Sequence, residues 1–281
     1  MFESIGRSFS LVKTSWNILM SDKKLLAFPA LSGIVTILVI LTFILPLIVA
    51  GAMPSFIPDG PVFFYGILFV YYAVSYFVVI FFNTALISCV NARLQGKDMS
   101  VGEGLSVAGR HIHTIFAWAL VSATVGIILH LIEERSGIIG EIAGAIIGGA
   151  WSLVTFFVVP VLVLEDKGVF DSLKESFGLV KKTWGESIVG SASIGIIFGI
   201  IGAVGLFCFI GALFSGSMIL IGIVLALFLV LIAILAVLAS AMQGIFVTAL
   251  YTYAKTGKVP DAFEPDLIRN AFVPKQNTGN I

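Results

Sequence analysis

The chain has 281 residues, of which 59% are hydrophobic and 11% are charged, and its formal net charge is zero. A soluble domain carries about 25% charged residues, so this composition excludes an ordinary soluble protein. Zero net charge also argues against nucleic acid as a partner. The mean hydropathy of +1.10 instead indicates a protein embedded in a lipid bilayer.

Six apolar runs are long enough to cross a bilayer, which takes about 20 helical residues. In chain order the predicted spans are residues 28–50, 62–90, 112–132, 138–164, 188–214 and 218–254. We therefore predict an all-α, polytopic membrane protein with six transmembrane helices in a single membrane domain, residues 1–258. Residues 259–281 are expected to form a polar, largely disordered cytoplasmic tail.

Lysine and arginine are concentrated in alternate loops. Fifteen of the sixteen lie in the N-terminal segment, the second loop, the fourth loop and the C-terminal tail, and only Arg135 lies in an odd-numbered loop. Because the cytoplasmic loops of membrane proteins are enriched in these residues, both termini are predicted to be cytoplasmic.

A polar and aromatic phrase occurs twice, as SFSLVKTSW at 8–16 and as SFGLVKKTW at 176–184. Its apolar positions step by three or four residues, which is the spacing of one face of a helix. Each copy is predicted to be an amphipathic helix at the cytoplasmic membrane interface. The residues that define these two interfacial helices are Phe9, Val12, Lys13, Trp16, Phe177, Val180, Lys181 and Trp184.

A weaker counterpart at residues 101–115 has the same apolar spacing and precedes the third span. The tripeptide TAL recurs in the second span at 84–86 and in the sixth at 248–250. We therefore predict an internal repeat of three parallel units, approximately 1–97, 98–167 and 168–258. Each unit is expected to be an interfacial helix followed by a hairpin of two transmembrane helices.

The segments FFVVPVLVLEDKG at 156–168 and DSLKESFGLVKKTWGE at 171–186, with SFSLVKTSW near the start, carry a family resemblance. The chain resembles a domain-of-unknown-function family of six-helix bacterial and archaeal integral membrane proteins. It is also distantly similar to the membrane domain of some glycerophosphodiester phosphodiesterases. The resemblance implies a prokaryotic plasma membrane and implies no reaction.

Asn83 and Gln243 are the most polar side chains near the middle of predicted spans. They are interpreted either as interhelical hydrogen-bonding residues, which is favoured, or as a polar patch in a conduction or binding cavity. The central parts of the spans contain no Asp, Glu, Lys or Arg, which argues against an ion-coupled transporter.

Glycines repeat at helical spacing in two spans, and a proline interrupts one of them. Such stripes allow close helix packing in lipid, and a subunit contact or a gating hinge is the alternative. Pro160 predicts a kink, because proline cannot continue the helical hydrogen bonds. The glycines predicted to pack are Gly140, Gly144, Gly148, Gly195, Gly199 and Gly202.

His130, Glu134 and Glu141 form a weak candidate metal site at the outer ends of the third and fourth spans. Their spacing differs from the HExxH motif, so a solvated helix end is favoured, and no metal or cofactor is predicted. Cys89 and Cys208 lie within apolar runs and provide no disulfide framework.

Three functions are considered. The absence of a catalytic constellation favours a non-enzymatic membrane scaffold or accessory protein. The alternative is a transporter or channel for a lipid or small neutral solute, which requires a cavity that reaches Asn83 or Gln243. An enzyme acting on lipid headgroups would depend on the residues near His130. The expected partners are the lipid bilayer and other membrane proteins or a second copy of the chain, without nucleic acid.

Overall fold

The computed structural model describes residues 13–52, 61–135 and 137–257, and within these ranges the chain forms helices joined by short turns, with no strand. The first helix, α1, is described over residues 13–21, and a 3-10 turn follows at Lys23–Leu26. The other helices are α2 (Ala27–Ala52), α3 (Pro61–Leu94), α4 (Val101–Arg110), α5 (Ile112–Arg135), α6 (Gly137–Val154), α7 (Val158–Leu164), α8 (Val169–Leu213) and α9 (Met218–Thr256).

Six helical stretches in the described chain are long and apolar enough to cross a membrane. They are Lys23–Pro46, Phe63–Leu94, Ile112–Glu134, Ile139–Leu164, Ile194–Leu213 and Met218–Thr256. Each one overlaps one of the six runs predicted from the sequence. The prediction of an all-α chain with six helices of membrane-spanning length is therefore confirmed, and the chain is a multi-pass membrane protein by length and composition.

The fourth span is interrupted, and its interruption lies one turn before the kink predicted at Pro160. Helix α6 ends at Val154 and α7 begins at Val158, with a turn over residues 155–157. Because proline has no N–H, Pro160 cannot donate to the carbonyl of Phe156, so the helical ladder stops there. Pro160 then lies in the first turn of α7, where a missing donor is tolerated.

The predicted interfacial helix at 176–184 and the fifth span meet at a kink. The helical stretch Val169–Leu213, which we label α8, consists of two helices joined at Thr183, where the backbone angles are non-helical (φ −129°, ψ 21°). The hydroxyl of Thr183 donates to the carbonyl of Leu179 over 3.1 Å. A threonine that bonds back to the preceding turn often bends a helix, and here the chain kinks between the first part of α8 and the spanning part.

The buried core lies at one end of the bundle, where α3 ends at Leu94 and α9 ends at Thr256. We call this the basic end, because Arg93, Lys167 and Lys255 lie beside it. The core is formed by stretches of several helices: 84–90 of α3, 157–163 around α7 and 244–251 of α9 are buried almost throughout. Away from this end, large apolar side chains of α2, α6, α8 and α9 are exposed, among them Ile37, Ile146, Phe207 and Leu227.

Consecutive long helices pack on each other: α2 on α3, α5 on α6, and α8 on α9. Helix α3 also packs on α5 and on α9, so it occupies the middle of the bundle. Helices α3 and α9 approach closely at Gly244, where an added Cβ would lie 2.5 Å from Leu86 Cδ2. A side chain at this position would push the two central helices apart or displace Leu86.

Helix α4 packs on α3 at the basic end. Its N-terminus is closed by a capping box, in which Ser100 and Glu103 hydrogen-bond to each other's backbone N–H groups. At Gly104 an added Cβ would lie 2.6 Å from Cys89 Sγ and 3.1 Å from the backbone oxygen of Ala85. The absence of a side chain at Gly104 therefore sets how closely α4 approaches α3.

Candidate functional site at the basic end

The break between α6 and α7 is bridged by a serine from α8. Ser176 Oγ donates to the carbonyl of Val154 over 2.6 Å and accepts from the N–H of Phe157 over 3.0 Å. Ser176 is fully buried. Both backbone groups would lack a helical partner at the break, and unpaired buried groups are costly, so this hydroxyl allows the span to remain interrupted.

Five polar side chains form a network that joins α7, α8 and α9 next to this break. Glu165 accepts hydrogen bonds from Tyr251 Oη at 2.5 Å and from Lys255 Nζ at 3.0 Å. Lys167 Nζ lies 2.8 Å from Glu165, and Glu175 forms ion pairs with both Lys167 and Lys255. Two carboxylates and two ammonium groups therefore balance each other's charge at the basic end, and the phenol of Tyr251 donates to one of the carboxylates.

The network holds Glu165 in its ionised form. Burial alone would raise the pKa of this carboxyl, but hydrogen bonds from Lys167, Tyr251 and Lys255 lower the pKa to about 2. The side chain of Glu165 is only 16% exposed, so water screens these interactions weakly. The carboxylate is consequently an acceptor for three side chains and not a general acid at neutral pH.

Two further side-chain contacts connect loops at the same end. His111 Nε2 lies 3.3 Å from Asp166 Oδ1, and Lys24 Nζ lies 3.1 Å from Asp98 Oδ2. The first joins the α4–α5 turn to the segment after α7, and the second joins the 3-10 turn to the loop after α3. In each contact at least one of the two side chains is exposed to solvent. Each contact therefore contributes little to stability by itself.

Asn83 and Gln243 lie on the two central helices, where α3 and α9 meet. The Oδ1 atom of Asn83 is 3.8 Å from the position of a Cβ on Gly244, which is the residue after Gln243. Asn83 and Gln243 are both partly buried, and the stretches that follow them toward the basic end are buried. The hydroxyl of Thr84 is also buried there, with no hydrogen-bond partner among the described residues.

The predicted glycine stripes lie in two different environments. Gly140 and Gly144 of α6 are buried, and a Cβ on Gly144 would lie 2.5 Å from Glu133 Cγ of α5. In α8, Gly202 lies near Ile232 of α9, whereas no described atom lies within 4 Å of the Cβ positions of Gly195 and Gly199. Gly148 is partly buried, with Leu129 Cδ1 at 3.7 Å from its Cβ position.

The candidate metal ligands are not assembled into a site. His130, Glu134 and Glu141 do not belong to any group of three or more metal-ligating side chains in the described chain. Glu134 instead accepts a hydrogen bond from Tyr65 Oη over 3.0 Å. This contact joins the C-terminal end of α5 to the N-terminal part of α3.

The predicted interfacial residues are divided between core and surface. Lys13 and Lys181 are exposed, Trp16 and Phe177 are 39% and 48% exposed, and Val180 is buried. Val180 and Phe177 therefore lie in different environments, because the protein core covers Val180 while Phe177 is about half exposed. Phe9, Val12 and the side chain of Trp184 lie outside the described residues, as does the predicted tail.

Comparison with known proteins identifies one protein family that matches the chain. A family model described as a family of unknown function, DUF6159, matches residues 62–261, which is well over half of the chain. The chain belongs to the DUF6159 family. No curated protein and no solved structure matches it. The predicted membership of a family without an assigned function is therefore confirmed, whereas the similarity to the phosphodiesterase membrane domain and the bacterial or archaeal origin stay predictions.

The DUF6159 segment contains every member of the network, but nothing in the sequence predicted that these residues would come together. Tyr251 and Lys255 are 86 and 90 residues from Glu165 in the chain. Two features of the sequence could have indicated them: acidic residues that directly follow the proline-interrupted span, and a lysine one turn after a tyrosine at the end of α9.

Proposed function

We propose that this DUF6159 protein is a non-enzymatic membrane scaffold or accessory protein of a prokaryotic plasma membrane. The observation that carries the proposal is the closed packing where α3 and α9 cross. Gly244 leaves no space for a Cβ beside Leu86, and Asn83 lies at the same level. The two polar residues that a transport pathway would use therefore lie at a helix contact.

The polar network supports the same proposal. Its carboxylates and ammonium groups are paired with one another, and Tyr251 donates to Glu165. Side chains that satisfy each other in this way hold three helices in one arrangement and are not poised to react with a substrate. The network is thus interpreted as a structural clamp and not as an active site.

The orientation proposed for the bundle follows from its charges. We place the basic end and both termini in the cytoplasm, because cytoplasmic loops collect lysine and arginine. In this arrangement the six spans form three hairpins that enter from the cytoplasmic side, each after an amphipathic segment. The contacts of α2 with α3, α5 with α6 and α8 with α9 support the hairpins.

A scaffold needs surface that other molecules can contact within the bilayer. The parts of α8 and α9 that are distant from the basic end contact each other through Gly205, Leu231 and the stacked rings of Phe209 and Phe228. Their other sides expose apolar residues such as Phe207. Lipid, other membrane proteins and a second copy of the chain are the partners proposed for these surfaces.

A transporter or channel for a lipid or small neutral solute is the second candidate. The break at residues 155–157 favours it, because interrupted transmembrane helices form the binding sites of many transporters. Ser176 bonds to both sides of this break, so a solute would have to displace the serine to reach the freed backbone groups.

Reconstitution of the full chain in vesicles distinguishes the two candidates. We expect the rate of lipid scrambling, followed by dithionite quenching of a fluorescent phospholipid, to equal that of protein-free vesicles. Glycerol entry, followed by light scattering after an osmotic step, should also be unchanged. Protein-dependent acceleration of either process would contradict the scaffold proposal and support transport.

A further inference from the structure

The N-terminal part of α8, residues 169–183, has one face that is fixed by packing. Val169, Ser172, Ser176, Leu179 and Thr183 are buried. They step by three and four residues, so they form one side of the helix. Because this side contacts the core and bridges the α6–α7 break, the segment cannot rotate about its axis, and the identity of its outward face is settled.

The outward face alternates aromatic and basic residues. Phe170, Lys174, Phe177 and Lys181 step by four, three and four, which places them within about 60° of one another at 100° per residue. Phe170 is 79% exposed and Phe177 is 48% exposed. Lys181 Nζ lies 5.3 Å from the centre of the Phe177 ring, so cation and aromatic ring already form one unit.

The lysines of α8 and its neighbours fall into two groups. Lys167 and Lys255 are paired with Glu165 and Glu175 inside the network. Neither Lys174 nor Lys181 forms an ion pair with a carboxylate in the described part of the chain. Their charge is therefore available to an external anion, and Asp171 is the acidic residue that flanks their face.

The outward face lies close to where the chain enters the bilayer. Lys181 precedes Ile188, the first residue of the apolar run of the fifth span, by seven residues, or about 10 Å of helix. Exposed phenylalanines at this level gain free energy by insertion among lipid headgroups and upper acyl chains. Lysines between them are then at the depth of the phosphates.

We infer that Phe170, Lys174, Phe177 and Lys181 form a binding surface for anionic phospholipids, with the phosphate groups held by the two lysines and the rings seated among the acyl chains. The sequence repeat places Lys13 at the position equivalent to Lys181, and Lys13 is exposed as well. This inference rests on the proposed position of the basic end at a membrane surface. It is independent of whether the protein is a scaffold or a transporter.

The test uses the full chain in nanodiscs that contain equal amounts of phosphatidylglycerol and phosphatidylcholine. Native mass spectrometry of the released protein gives the preference for the anionic lipid among retained lipids. A lysine at headgroup level strengthens the interaction with anionic lipid about fivefold, so the variant Lys174→Gln/Lys181→Gln should lose about 25-fold in preference.

The matched control is Arg93→Gln/Lys97→Gln, which removes the same charge from exposed positions at the same end of the bundle. We expect a clearly smaller loss in this control, and we expect Phe170→Ala/Phe177→Ala to weaken lipid retention with the charges intact. All six substituted positions are exposed, so the helical content should not change. An equal loss in both charge variants, or no loss in Lys174→Gln/Lys181→Gln, would overturn the inference. Vesicle transport rates remain a separate result, so the failure of one proposal is distinguishable from the failure of the other.

Discussion

At the residue scale, the hydroxyl of Ser176 and the carboxylate of Glu165 determine how α7 and α8 are held. Ser176 satisfies two backbone groups of a broken span, and Glu165 receives hydrogen bonds from Tyr251 and Lys255. Neither role is visible in the sequence, because a serine in an amphipathic segment and a glutamate after a span are common. Their importance arises from partners that are distant in the chain.

Replacement of Ser176 by alanine should destabilise the protein by about 1–3 kcal/mol, the usual cost of leaving buried polar groups unpaired. Both the Phe157 N–H and the Val154 carbonyl would lose their partner. Equilibrium unfolding of the purified protein in mixed micelles measures the effect.

Ser172→Ala is the control for this prediction, since Ser172 is buried on the same face of α8 but its hydroxyl bonds only weakly, at 3.5 Å from the Lys167 carbonyl. If the two variants were equally stable, the bridging role of Ser176 would be wrong.

Glu165→Gln should reduce stability at neutral pH by about 1.5–3 kcal/mol, the range for hydrogen bonds to a charged group. The folded-state pKa of Glu165 is about 2, below its ordinary value of 4.5. Stability from its ionised form is therefore present above pH 4.5 and is lost as the pH falls toward 2. The difference between wild type and variant, measured by unfolding at several pH values, should narrow over this interval.

An exposed carboxylate provides the comparison. Glu141→Gln removes the same charge at an exposed position in α6. We expect the free energy of unfolding of this variant to equal that of the wild type at each pH. A difference between wild type and Glu165→Gln that stays constant from neutral pH down to pH 2 would show that the network does not favour ionised Glu165.

At the element scale, the sequence predicted the spans and a kink at Pro160, but not the exact position of the break or the contacts that hold it. Apolar run length determines whether a helix can cross a bilayer, so the six spans could be located from composition along the chain. The position of the α6–α7 break depends on Pro160 together with Ser176. Ser176 is separated from Val154 by 22 residues and from Phe157 by 19 residues in the chain. The kink of α8 at Thr183 depends in the same way on how the first part of α8 packs.

Two glycine-to-alanine substitutions in helix α4 are expected to change the stability of the protein in opposite directions. Gly104→Ala should destabilise the protein by about 1–3 kcal/mol, the cost of overpacking, because the new methyl would meet Cys89 and the Ala85 backbone. Gly109→Ala in the same helix meets no described atom within 4 Å. It should stabilise by about 0.5–1 kcal/mol through helix propensity.

Both glycine variants can be compared by unfolding in the same micelles. The decisive feature is the sign of each change relative to wild type. Stabilisation by Gly104→Ala would mean that α4 does not approach α3 as closely as described.

At the scale of the whole molecule, the packing is uneven along the bundle. The core lies at the basic end, and the apolar surfaces distant from it are exposed. The sequence indicated the charge asymmetry, because lysine and arginine positions can be counted in each loop. It could not indicate that the core would be concentrated at that end, since nearly every span is apolar along its entire length and gives no preferred buried face.

The central claim is that the crossing of α3 and α9 is closed to water. Its most direct test is thiol labelling of Asn83→Cys and Gln243→Cys in a chain whose Cys89 and Cys208 are replaced by alanine. Gln95→Cys, at an exposed position of the basic end, is the positive control. A membrane-impermeant maleimide applied to inside-out vesicles should label position 95 and leave positions 83 and 243 unlabelled. Labelling at 83 or 243 at a rate comparable to that at 95 would contradict the closed bundle and favour a water-filled pathway.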